Sequence, residues 1–154
     1  MLAQVIGFVR LPMLMLLLFT IGRFILGVTG VPYFPRGTAI FSVVILGFIS
    51  SFYFGALSGK VGGFGWGGAL LTGAVIGLTA QILIFTATFI SYAGDFQTSY
   101  FRHWDALNVK EGTVVPMAQA MRARAGALLV GPIVMIVAAA IGRSLGALAP
   151  EKRS

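Results

Sequence analysis

The stretch Val61–Gly94, VGGFGWGGALLTGAVIGLTAQILIFTATFISYAG, lies between Lys60 and Asp95 and contains no charged residue. About twenty apolar residues cross a bilayer as an α-helix, and Gly68–Tyr92 supplies them with length to spare for tilt. The segment therefore predicts a transmembrane helix. Ala69, Gly73 and Gly77 recur every four residues and lead to Gln81, so one face is nearly bare backbone ending in a mid-span amide. Such a face calls for another helix, because small side chains let two backbones approach closely where lipid offers no hydrophobic drive for association.

Working outward, three more spans follow the same logic. The first runs from about Leu11 to Val28 and carries Arg23 near its far end. Arg10 stands just before it, Pro12 is tolerated in its first turn, and Met1–Arg10 is expected at the interface. No small-x-small cleavage site follows the apolar run, so the segment is expected to be retained rather than removed as a signal peptide. Pro32 and Pro35 make Thr29–Gly37 a stiff turn between antiparallel neighbours. The second span, about Thr38 to Ser58, repeats Gly47, Ser51, Gly55 and then Gly59 at four-residue spacing. Ser58–Gly68 is a glycine-rich hairpin with Phe64 and Trp66; it has no Gly-Lys-Ser/Thr and so does not match a phosphate-binding loop. The fourth span, about Ala125 to Ala149, contains Pro132 and a further small-residue series, Ala138, Gly142 and Gly146.

Between the third and fourth spans lies the polar stretch Asp95–Arg124, which holds three of the four acidic residues and the single histidine, His103. Phe96, Tyr100, Phe101, Trp104 and Leu107 fall at helical spacing on one side, which predicts an interfacial helix. The expected fold is thus an all-α integral membrane protein: one domain, 1–154, forming a four-transmembrane-helix bundle with an interfacial helical element between spans three and four.

Composition excludes several functions. The chain of 154 residues is 58% hydrophobic and only 10% charged, against about 25% charged in soluble proteins. It has no cysteine, which removes disulfides, thiolate metal sites and cysteine catalysis, and one histidine cannot supply bis-histidine haem or a multi-histidine zinc site. No cofactor, metal or catalytic residue is expected. The formal charge of +7 comes from basic residues scattered among apolar spans, which points to anionic lipid headgroups and not to nucleic acid. Arg10, Lys60, Lys152 and Arg153 on the terminal face nearly balance Arg36, Arg102, Lys110, Arg122 and Arg124 on the loop face, so positive charge does not choose an orientation. A bacterial inner (plasma) membrane is the expected location.

Gly47, Ser51, Gly55, Gly73, Gly77, Gln81, Ala138, Gly142 and Gly146 are the expected helix-packing residues. Arg23 and Arg143, the two basic residues inside the spans, belong near opposite interfaces and are expected to meet headgroups by snorkelling. Together with Tyr33, Phe34, Arg36, Tyr100, Phe101, Arg102 and Trp104 they form the expected lipid- or partner-binding set, most of it on the loop face. His103 and Asp105 stand two apart and would point to different sides of a helix, so they do not suggest a catalytic pair. These features favour a non-enzymatic accessory or structural subunit, or a self-associating scaffold forming a homo-oligomer. A channel or transporter for a small ion or solute is the alternative, and a membrane enzyme acting on a lipid-soluble substrate the third reading.

Overall fold

A computed structural model describes residues 1–33 and 42–148. The expected site residues Phe34 and Arg36, and the expected ends of the second and fourth spans at 38–41 and 149, lie outside this set. Among the described residues the chain is all-helical, with α1 (Leu2–Phe8), α2 (Arg10–Val28), α3 (Val43–Lys60), α4 (Trp66–Ala93) and α5 (Met117–Leu148). The last four are long and apolar enough to cross a membrane.

At 1.5 Å per residue the 28 residues of α4 extend about 42 Å, well beyond a hydrocarbon core of about 30 Å. The division between α1 and α2 has a local cause. Pro12 has no N–H to offer Phe8, and its ring crowds that carbonyl, so the helix relaxes at Val9. The Val9 N–H still reaches Val5 and Met13 still reaches Val9, at 2.9 and 3.1 Å, which makes α1 a continuation of α2 across a loosened turn. It is not a detached segment: Val5 and Val9 are completely buried, and Phe8 meets Phe54 and Phe64 edge-on.

α4 is the central helix, touching all the others. α5 lies along α3 and α4 and makes the two largest helix contacts, while α2 packs more lightly on α4 and α3. Small residues make this closeness possible. A Cβ added at Gly77 would stand 2.7 Å from Pro132 Cα, and one at Gly55 would stand 2.7 Å from Ala139 Cα. Added at Gly142 or Gly146 it would strike the carbonyl oxygen of Phe52 or Ala56. All three small-residue series thus converge on the α3–α4–α5 seam within one chain. Gln81 is buried there, its amide against Gly131, while Gly47 faces Met135 and Ala80. Arg143 lies against Gly59 at the opposite end from Arg23.

Hydroxyls inside the long helices satisfy themselves locally: Thr20, Thr72, Thr79, Thr88 and Ser91 each donate to the carbonyl four residues earlier, at 2.7–2.9 Å. The buried Ser51 hydroxyl has no hydrogen-bond partner.

One expectation is corrected. The stretch from Gly94 to Pro116 is a succession of turns, not a regular helix. Asp95 and Asn108 take the left-handed conformation at φ 51° and 56°, and Gly112 at 75°, which breaks the helical path three times. The aromatic spacing arose from turns that fold the segment onto the ends of the helices.

Candidate functional site

Two helix ends create the platform for this loop. α2 stops in a Schellman motif, with Val31 N–H bonded to Leu26 and Gly30 N–H to Gly27, and Gly30 at φ 78°. α4 ends the same way: Phe96 N–H returns to Ser91 and Asp95 N–H to Tyr92, with Asp95 taking the place glycine usually fills. Each motif turns the chain sharply, one presenting Tyr33 and the other starting the loop.

Phe101 and Tyr100 are each only 2% exposed, and Ser99, Leu107 and Val115 are also buried. Gly27 allows this, because its bare backbone lies against Ser99 and the Tyr100 nitrogen. The Ser91 and Ser99 hydroxyls share a 2.6 Å hydrogen bond, Tyr100 donates to the Pro32 carbonyl at 3.2 Å, and Tyr92 donates to the Val115 carbonyl at 2.7 Å. Arg102 pairs with Asp95 at 3.0 Å and lies over the Tyr92 ring. The loop is therefore a folded cap. Tyr100 and Phe101, expected as partner- or lipid-binding residues, are its interior; Trp104 and Arg102 are half-buried, and Phe96 and Val114 are exposed.

Beneath the cap, Arg23 Nη2 donates to the Tyr33 hydroxyl at 3.3 Å, and that hydroxyl donates to Asp105 Oδ2 at 2.9 Å. Arg23 also lies over the Tyr33, Tyr100 and Phe101 rings at 5.3–5.9 Å, the geometry of cation–π attraction. Burial is the main cause that pushes the Tyr33 hydroxyl above its ordinary pKa, so it keeps its proton for Asp105. His103 stacks on Tyr33 at 3.9 Å and accepts the Asp105 N–H on Nδ1 at 3.3 Å. Burial lowers its pKa, against the opposing pull of Asp105. This imidazole supports the cap, its Nδ1 engaged by the Asp105 backbone.

From α5, Arg124 bonds the Thr88 hydroxyl through Nε at 3.2 Å and the Ala106 carbonyl through Nη2 at 3.0 Å. Arg23 and Arg124 both line a cavity of about 190 Å³, together with Ser42, Val43, Ile84 and Phe101. A second hollow of about 200 Å³ opens in the cap itself among Tyr92, Arg102, Trp104 and Val115.

Sequence reasoning placed Arg124 only in the loop-face charge count and missed it as a site residue. The available signal was its i+4 relation to Ala120, which is completely buried and shares its inward face, whereas Arg122 points outward. Among the described residues no group of three or more His, Asp or Glu is placed to hold a metal. No protein-family model, curated protein or solved structure matches the chain.

Proposed function

We propose that this chain is a non-enzymatic accessory subunit of a membrane complex, with its four apolar helices crossing the bilayer as a bundle and the 95–116 cap at the interface as its working face. The folded cap is the observation that supports this reading. A loop needed only to join two spans has no reason to order itself through buried aromatics and a Tyr33–Asp105 bond to a distant turn, whereas a surface meant for recognition gains from being preorganised. Its outer side offers Phe96, Trp104 and Val114 beside Arg102, the aromatic and arginine mixture favoured where proteins meet.

The small-residue series no longer argue for self-association, because α3, α4 and α5 use them on one another. Gln81, the mid-span amide on which a transport path would draw, is packed against Gly131. A heteromeric partner fits these facts better than a homo-oligomeric scaffold or a transporter.

The test is native mass spectrometry after extraction from native membranes in mild detergent, for the wild type and a Trp104→Asp, Val114→Asp variant. The expected wild-type mass is that of this chain with a different polypeptide. The variant should insert and fold, since neither side chain is in the buried set, yet emerge without that partner. A wild-type chain that emerges alone, or only with copies of itself, overturns the reading.

A further inference from the structure

We infer that the cavity between Arg23 and Arg124 is a binding site for an anionic phosphate group, independently of whether the cap docks a protein. Two guanidinium groups from different helices line one small cavity at the loop end of a largely apolar protein. Bringing two like charges together out of water is costly unless an anion joins them. Asp105 receives the Tyr33 proton, and Arg23 donates to the same hydroxyl, which leaves the two guanidinium groups to share the cavity wall.

The third wall is the start of α3. Ser42 caps this helix, its Oγ accepting the Ile45 N–H at 3.3 Å, which leaves the Ser42 hydroxyl proton to donate elsewhere. Val43 and Val44 also line the cavity, and their N–H groups belong to the first helical turn, where no intrahelical acceptor exists. The positive end of the α3 dipole thus adds to two arginines. Donors on both sides of the space suit a tetrahedral anion with several oxygens better than a planar carboxylate, which one guanidinium would satisfy.

Size and depth agree. At roughly 30 Å³ per water the cavity of about 190 Å³ holds about six waters, room for a phosphate group but not for an acyl chain. Arg23 lies five residues before the end of α2, about 7.5 Å along the axis, within reach of the headgroup layer. Two sources share this chemistry, an acidic phospholipid headgroup and free inorganic phosphate.

The purified full chain would be placed in phosphatidylcholine nanodiscs with and without phosphatidic acid, and separately titrated with inorganic phosphate against chloride at matched ionic strength. Thermal stability and retained lipid would be read for the wild type, Arg23→Lys, Arg124→Gln and Arg122→Gln. Arg122 is exposed on the same helix, so its variant controls for charge alone. Binding should survive Arg122→Gln and weaken at least about tenfold in Arg124→Gln, which loses a charge-assisted contact. Arg23→Lys keeps the charge and loses the planar fork, so it should fold and still bind more weakly, covering the case in which Arg124→Gln fails to fold. Retention of phosphatidic acid alone identifies a headgroup site, and response to inorganic phosphate identifies a soluble anion; either supports the inference. Failure of the wild type to respond to both, or equal weakening by Arg122→Gln, overturns it.

Discussion

The α3–α4–α5 seam and the loop cap are both tightly packed, yet by opposite means. In the seam, backbone meets backbone over Gly55, Gly73, Gly77, Gly142 and Gly146, and side chains contribute by being absent. In the cap, long polar and aromatic side chains reach across turns: Tyr33 to Asp105, Tyr92 to Val115, Arg124 to Ala106. The difference is the one that helices apolar enough for a bilayer and a loop at its surface would call for. Lipid would be as apolar as the helices, so association there would depend on close fit, whereas near water a loop must satisfy its backbone and can use directional polar bonds.

The largest effect that would sharpen this contrast belongs to the seam. Gly142→Leu would drive a side chain into the Phe52 carbonyl, and overpacking of this kind costs about 1–3 kcal/mol or more. A large fall in the thermal unfolding temperature in detergent is the expected outcome. Gly126→Leu on the same helix meets nothing within 4 Å and should stay within about 1 kcal/mol of wild type, given the modest helix-propensity difference. Equal behaviour of the two variants would break the account of the seam.

A smaller effect is expected in the cap. Tyr33→Phe keeps the ring stacked on His103 but removes the hydroxyl between Arg23 and Asp105, a loss of about 1–3 kcal/mol for bonds to charged groups. The cap should open before the spans unfold, so faster amide exchange across 99–107 with unchanged exchange in α4 is the measurement. Uniform loosening of both would mean that cap and seam form one cooperative unit.

The smallest expected effect is the pH response of the cap. His103 is shifted below its ordinary value of about 6.5, so the folded cap binds a proton less readily than the unfolded chain. Its contribution is fully present above about pH 6.5 and is lost as pH falls towards the lowered folded value, below which no further loss occurs. Protonated Nδ1 can no longer accept the Asp105 N–H, which gives the same sign. The protection factor of the Asp105 amide, corrected for the intrinsic pH dependence of exchange, should fall on the acid side between about pH 7.5 and 5, and His103→Gln should remove most of that fall.

Much of the part made of long apolar helices was legible because the relevant property is local. An uncharged run as long as Val61–Gly94 has one economical solution in a bilayer, a helix, and four-residue spacing of glycines marks a face by helical geometry alone. The cap was not legible in this way. Phe96, Tyr100, Phe101, Trp104 and Leu107 carried helical periodicity, but three left-handed residues and contacts to Pro32, Gly27 and Ser91 outweighed it. Arg124 was counted as one charge among several because nothing near it in sequence announces Arg23, about a hundred positions earlier.

By itself the sequence determined that the chain is helical, that four helices are long and apolar enough to span a membrane, and which faces are small enough for close approach, since each depends on residues within a few turns of one another. Only the tertiary structure decided which small-residue faces meet, that they are spent within one chain, and that Arg23, Arg124 and the start of α3 share a cavity. Those outcomes depend on how separate helices are placed side by side, a relation that local spacing does not encode.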